Sequence, residues 1–338
     1  MPKKVRLGLV GSGGMAKAHL PYLTKMEGVE ITAFCDPMRY KADKLAAEHH
    51  AKAFDTPAEM LDSVEMDALY LLLPPFAHGE PEREAIERKI PFFIEKPIGL
   101  DLALTREIAQ EVERQKIISC AGYMNRYRKS LHRGRELLQN DPAALVFGGW
   151  IGGSPSPQPG DDSIKSWWVQ KSKSGGQIVE QCTHTFDVLR YLCGEAVEVF
   201  AHGAHGFNKN VYMYDIDDAS TVNILLKSGG VANLMSTCAA NGGGGGVSLN
   251  LYSHDTTLQY TGWEHSVVIR RKGVEGVEEI KGEPDIFGVE DEVFISAVRT
   301  GDASAIQSPY PDAARTLELT LAANKSLETG KPVSISAS

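Results

Sequence analysis

The segment Gly11-Ser12-Gly13-Gly14-Met15-Ala16 constrains this chain more than any other, because it follows a short apolar run at residues 5–10 and opens an amphipathic stretch. A G-x-G-x-x-A turn is informative when it joins a strand to a helix in this way. Gly11 permits a tight turn, Gly13 lets the backbone approach a pyrophosphate, and small Ala16 lets helix and strand pack closely. An anion there meets the free N–H groups and positive dipole end of the helix, at Gly14 and Met15. A glycine-rich turn without a ligand is the competing reading. Asp36 favours the ligand, since it ends the second apolar run, where a carboxylate can accept hydrogen bonds from an adenosine ribose. NAD is therefore the expected cofactor. The same carboxylate repels a 2'-phosphate, although Arg39 would counter that repulsion and keeps NADP as the alternative.

From Lys3 to about Gly122, apolar runs alternate with amphipathic stretches, the pattern of strand-helix units that build a parallel sheet. Strands are expected at residues 5–10, 29–35, 51–54, 68–73, 92–95 and 117–121, with helices at 15–26, 40–49, 57–61, 80–88 and 102–115. After Tyr123 the texture changes. A helix at 128–139, a strand ending near Trp150, a Pro/Gly/Ser-rich loop at 152–160 and a helix at 177–192 precede strands at 197–204, 220–227, 231–238, 247–252, 257–260, 266–271 and 277–281. Runs of strands at short spacing imply a largely antiparallel sheet. Glycines 242–246 read as the tip of a hairpin, and helices at 288–300 and 311–329 close the chain. At 338 residues, two domains are expected. The fold class is α/β, with a Rossmann domain at 1–122 and an α+β domain at 123–338 carrying a large open sheet.

Composition narrows the partners. The net charge of -9 opposes a phosphate backbone, no long Lys/Arg block occurs, and a small uncharged substrate fits better than nucleic acid. No apolar run approaches the ~20 residues that span a bilayer, so no membrane association is expected. Cys35, Cys120, Cys182, Cys193 and Cys238 are scattered with no Cys-x-x-Cys pair, which suggests neither a disulfide framework nor a zinc site, and no metal is expected. The first strand follows Met1-Pro2-Lys3-Lys4 directly, leaving no room for a leader, so the cytoplasm is the expected compartment.

Two further motifs carry chemistry. Glu95-Lys96-Pro97 ends the fifth expected strand, where an open α/β sheet places ligands, and Pro97 disfavours helical geometry at Lys96. A solvated cap is the other reading of that lysine. In the stretch from Gly175-Gly176 to Asp187, Glu180, His184 and Asp187 are spaced to share one helical face, opposite Ile178, Cys182, Phe186 and Leu189. Alone, such a polar stripe equally suits a solvated surface or a partial metal site.

Together with the nucleotide turn, these motifs resemble the Gfo/Idh/MocA family of sugar and cyclitol oxidoreductases. The resemblance extends through Gly122-Tyr123-Met124-Asn125-Arg126-Tyr127 to the closing Ala297-Val298-Arg299-Thr300-Gly301-Asp302 and Ser326-Leu327-Glu328-Thr329-Gly330-Lys331-Pro332-Val333 stretches. It implies that Lys96, His184 and Glu180 are the catalytic residues, and that Pro74, His78, Glu95 and Lys96 contact the cofactor. Lys96, Glu180 and His184 then also bind substrate. Trp167 and Trp168 lie in the stretch that borders the substrate pocket in relatives, where plain packing is an equal reading; Asn125 and Arg126 share that ambiguity, but their position at the domain crossover favours lining the cleft. Most relatives carry Asp where this chain has Glu180, which leaves its partner open. The resemblance further implies that the helix near 311–329 packs back on the Rossmann domain and that the open sheet mediates a homodimer or homotetramer.

The implied chemistry is oxidation of a hydroxyl on a sugar or an inositol-like cyclitol. As hydride leaves the carbinol carbon, the hydroxyl proton needs a base, which an imidazole such as His184 provides. Protonated Lys96 donates to the developing alkoxide. Glu180 and Asp187 would orient the imidazole or bind sugar hydroxyls. Two alternatives use the same fold: an NAD-dependent glycosidase that oxidises its sugar transiently, and a noncatalytic nucleotide sensor, which needs neither Lys96 nor His184.

Overall fold

The computed structural model describes residues 4–335 as two compact units. The first unit comprises the described residues up to Met124 together with Asp285–Ala314. Its elements are β1 (Val5–Val10), α1 (Gly14–Leu23), β2 (Val29–Cys35), α2 (Arg39–His49), β3 (Lys52–Phe54), α3 (Pro57–Ser63), β4 (Ala68–Leu71), α4 (Glu80–Glu87), β5 (Phe92–Ile94), α5 (Leu102–Gln115) and β6 (Ser119–Ala121). The strands form one parallel sheet in the order β3-β2-β1-β4-β5-β6. This is the doubly wound Rossmann order, and the chain switches direction across the sheet between β1 and β4. Helices cover both faces of such a sheet, which is why β4 and β5 are buried at every position instead of alternating.

The second unit comprises Asn125–Pro284 and the chain from Arg315 onward. It contains α6 (Lys129–Leu138), β7 (Leu145–Ile151), α7 (Ile164–Trp168), α8 (Lys171–Ser174), α9 (Gln177–Glu180) and α10 (Thr183–Cys193). There follow β8 (Ala196–Ala204), β9 (Ala219–Leu226), β10 (Val231–Thr237), β11 (Gly246–Tyr252), β12 (Thr256–Thr261), β13 (Ser266–Arg271) and β14 (Glu278–Ile280). The closing elements are α11 (Ile286–Thr300) in the first unit, α12 (Tyr310–Thr329), and a short strand β15 (Val333–Ser334) that the sequence did not suggest.

The sheet of the second unit has nine strands in the order β14-β13-β12-β11-β7-β10-β9-β8-β15, antiparallel except where β10 runs parallel to β7. One face is apolar: Val222 and Ile224 of β9, Leu249 and Leu251 of β11 and Leu258 of β12 pack with Leu131 of α6 and with Phe186 and Leu189 of α10. On strands that alternate in this way, the intervening side chains point away from the core.

Two expectations need correction. The glycines at 242–246 do not tip a hairpin, because β10 and β11 lie on opposite sides of β7. Their loop crosses the end of β7, and a side chain at Gly245 would sit 2.1 Å from the Ile151 carbonyl oxygen, so close passage requires glycine there. The expected helix at 177–192 is broken into α9 and α10. The segment Asp285–Ala314 belongs to the Rossmann unit, with α11 packed on α1. Only the start of α12 belongs there, where Tyr310 meets Phe92; further along, Leu319 and Ala323 enter the core of the second unit. Among the described residues no helix is long and apolar enough to cross a membrane.

Candidate active site

The glycine turn leaves β1 with Gly11 at a φ of 98°, and a Cβ there would stand 2.3 Å from the Leu72 carbonyl oxygen. Only glycine fits. Gly13 caps α1 without any side-chain hydrogen bond to the free N–H groups, and a Cβ added at Gly13 or Gly14 would meet nothing within 4 Å. Ser12 Oγ is buried and has no hydrogen-bond partner. An uncapped helix start, open space above two glycines and an unsatisfied hydroxyl fit a dinucleotide pyrophosphate.

Asp36 is buried at the end of β2, where its carboxylate accepts from the Ser12 and Met38 N–H groups, both at 2.9 Å. The acid is thus fixed to the turn it serves. Arg39 is engaged elsewhere: its Nε donates to Asp43 at 2.9 Å and its guanidinium to Asp55 at 3.1 Å. Its charge is shared with two carboxylates, which leaves less of it for a 2'-phosphate.

Pro74 leads into a 3-10 turn over Pro75–Ala77, after which His78 Nδ1 lies 2.6 Å from Glu82 Oε1. Glu82 Oε2 also accepts from the Gly79 N–H at 2.6 Å, which fixes both the ring and the start of α4, while His78 Nε2 is buried without a partner.

At the end of β5, Glu95 Oε2 accepts from the Lys96 backbone N–H at 3.1 Å, and Oε1 lies 3.2 Å from His19 Nε2. His19 Nδ1 is in turn 2.8 Å from Asp291 Oδ1 of α11. Burial opposes the charge on His19, but Asp291 and Glu95 outweigh it and push its pKa up to about 10. The buried imidazolium ties α1, β5 and α11 together immediately before the half-buried Lys96. Neither His19 nor Asp291 stood out in the sequence; a histidine inside the first helix was the one available signal. The Lys96-Pro97 peptide is cis.

In the second unit, Glu180 ends α9 and His184 lies in the first turn of α10, which is buried from Thr183 to Leu192. The helix is interrupted between these two residues, and α10 is buried, so the polar stripe does not face solvent. Asp187 does not face solvent. Its two oxygens accept from Arg126 Nε and an Arg126 terminal nitrogen at 2.8 and 2.6 Å, and Thr316 donates to it at 2.8 Å. Arg126, expected to bind substrate, thus forms a buried ion pair with Asp187.

Glu180 has the partner that its extra methylene left open, since the Trp168 indole N–H donates to its Oε2. Trp168 also packs edge-on against Trp150 with ring centroids 6.4 Å apart, and Trp167 is its half-buried neighbour on α7. Asn125 Oδ1 accepts from Arg128 Nε at 2.7 Å, and its buried Nδ2 has no partner. Two further residues escaped the sequence reading. Gln177, at the start of α9, is buried with neither amide atom partnered, and Trp263 meets the His184 ring at 5.4 Å, inclined 84°. A polar residue after Gly175-Gly176 was the only signal for the first; the second had none.

The model for the NAD-binding Rossmann fold of the GFO/IDH/MocA oxidoreductase family matches residues 5–123, and its C-terminal-domain model matches residues 152–259. The chain belongs to the Gfo/Idh/MocA oxidoreductases. This Gfo/Idh/MocA protein is 24% identical over 355 residues to scyllo-inositol 2-dehydrogenase (NAD(+)) of Bacillus subtilis (strain 168), covering 99% of this chain and 97% of that one. It is also 24% identical over 355 residues to myo-inositol 2-dehydrogenase of Thermotoga maritima, covering 98% of each. Its fold matches that of levoglucosan dehydrogenase in complex with NADH and levoglucosan at a TM-score of 0.86, with 17% identity over 99% of this chain and 100% of the other. As a family member it is an oxidoreductase with an NAD-binding Rossmann domain.

Proposed function

We propose that this protein is an NAD-dependent dehydrogenase that oxidises a hydroxyl of a cyclitol or sugar. One observation carries the reading: the uncapped turn at Gly11–Gly14, Asp36 and Lys96 follow the ends of β1, β2 and β5, all at the carboxyl edge of one parallel sheet. That edge is where such sheets bind ligands. The two inositol dehydrogenases that align along its length supply the substrate class.

Bound NAD supplies the hydride acceptor. The glycine turn would hold its pyrophosphate and Asp36 its ribose, with Pro74 and His78 as further contacts. His184 accepts the proton of the reacting hydroxyl at a ring nitrogen, and the Lys96 ammonium donates a hydrogen bond to the oxygen as negative charge develops. Glu180, steadied by the Trp168 indole, accepts from a neighbouring hydroxyl. Glu95 fixes the Lys96 backbone. Asn125 and Trp167 complete the substrate surroundings.

The outward face of the second unit's sheet is the surface we assign to a second copy of the chain. Leu145, Phe147, Ile151, Leu225 and Val231 are exposed on it, and Phe147 stacks on Tyr252 at 5.8 Å. A homodimer or homotetramer would cover them. Free cysteines suit a reducing compartment, and we place the protein in the cytoplasm.

The test is to incubate the purified protein and NAD with inositols, aldoses and aryl glycosides, following reduced nicotinamide and released phenol together. Stoichiometric NADH from a free cyclitol or sugar is expected. Phenol release without accumulating NADH, abolished by removing NAD, would replace the dehydrogenase by a glycosidase; no turnover of any kind would favour a nucleotide sensor.

A further inference from the structure

Trp263 lies in the turn between β12 and β13 and is 43% exposed, although its indole is one of the largest apolar groups in the chain. The turn beneath it is firmly held. The Trp263 carbonyl oxygen lies 3.0 Å from His265 Nδ1 and 3.5 Å from an Arg128 terminal nitrogen, and the Gly262 N–H donates to the Val247 carbonyl at 2.9 Å. Arg128 is itself fully buried; its Nε bonds Asn125 Oδ1 and another nitrogen bonds the Glu283 carbonyl. Burial pulls its pKa down, with Glu283 and Glu264 opposing.

Placing a guanidinium in the interior costs several kcal/mol unless its donors are satisfied. Here those donors bind the backbone of two separate loops, at Trp263 and Glu283. The result is a rigid mount for an aromatic ring that its own unit leaves partly uncovered. The ring meets His184 at 5.4 Å, inclined 84°. Trp168, by contrast, is bonded to Glu180 and packs edge-on against Trp150.

We propose that Trp263 is a specificity-determining wall of the substrate site, on which the C–H face of a ring polyol lies while one of its hydroxyls reaches His184. A cyclitol or pyranose presents a patch of C–H bonds on its ring face, and a flat indole matches that patch in size and polarity. An open-chain polyol presents no such face and gains little from it. The inference rests on the dehydrogenase reading and adds to it the shape of the substrate.

The experiment compares wild type with Trp263→Ala, Trp263→Leu and Trp263→Phe on whichever hydroxyl compound the wild type oxidises, measuring kcat, KM, NADH affinity and melting temperature. For a ring substrate, Trp263→Ala should raise KM about tenfold and change kcat less than about threefold, and Trp263→Phe should restore KM to within about threefold. NADH affinity and melting temperature should be unchanged. KM within twofold of wild type in the alanine variant overturns the inference, as does a loss of kcat, KM and melting temperature together that phenylalanine fails to rescue. If the alanine variant does not fold, the leucine variant decides: it keeps the apolar bulk, so a KM equal to that of wild type rejects an aromatic wall. A wild type that oxidises only open-chain alcohols overturns this inference and leaves the dehydrogenase intact, whereas a wild type that oxidises nothing removes both.

Discussion

Asp187 takes both of its strongest hydrogen bonds from Arg126, at 2.8 and 2.6 Å, in a place where both side chains are almost completely buried. Two ions removed from water in this way are stable only as a pair, because each alone has lost its hydration. Asp187→Ala should therefore lower stability by about 3–5 kcal/mol, and Arg126→Ala by a similar amount. Chemical denaturation of each variant measures this. The double variant Arg126→Met/Asp187→Leu should recover much of the loss, since no lone charge remains; a double variant as unstable as the sum of the two would contradict the assignment.

Lys96 and His184 are assigned to charge and proton movement at one hydroxyl. Lys96→Met and His184→Ala should each reduce turnover by ~100-fold or more, the scale expected for an electrostatic donor or a general base. NADH affinity, read by fluorescence titration, should change little. Turnover near the wild-type value in either variant would remove that residue from the mechanism.

Asp36 is pinned by two backbone N–H groups and is accompanied by Asp43 and Asp55 around Arg39. NAD should accordingly bind at least about tenfold more tightly than NADP, because a 2'-phosphate adds negative charge to an acidic corner. Calorimetric titration with the two cofactors tests it, and Asp36→Ser should narrow the gap. Equal or tighter binding of NADP to the wild type would assign the corner to Arg39.

His19 is held between Asp291 and Glu95 with its pKa raised from 6.5 to about 10. A group whose folded pKa lies above its unfolded one contributes stability that is complete below the unfolded value and is lost as pH rises through the folded one. The wild type should thus lose stability progressively between pH 6.5 and about 10, and His19→Asn should be less stable at neutral pH with a flatter dependence over that window. Denaturation midpoints across the range decide it; parallel curves for the two proteins would show that the imidazole is not charged in the fold.

Much of the first unit was legible because its signals are local. A strand run into Gly11 and Gly13, an acid at the end of the second run, and apolar periods that switch between strand and helix all lie within a few residues of one another. β1, β2 and β13 start and stop where their patterns do. The spacing of Glu180, His184 and Asp187 was equally visible, but spacing alone does not say whether such a stripe faces water or the interior. α10 is buried from Thr183 to Leu192, and Arg126, which pairs with Asp187, is 61 residues away along the chain.

The order of residues therefore determined the strand-turn-helix units, the dinucleotide motif and the identity of the groups able to carry charge and protons. Only the tertiary structure decided what those groups touch. It gave Arg126 to Asp187, Trp168 to Glu180, Trp263 to His184 and His19 to Glu95, and it placed α11 in the Rossmann unit. The reason is that backbone propensity and periodicity act over one or two turns, whereas the partner of a buried polar group is fixed by which distant segments the hydrophobic cores bring together.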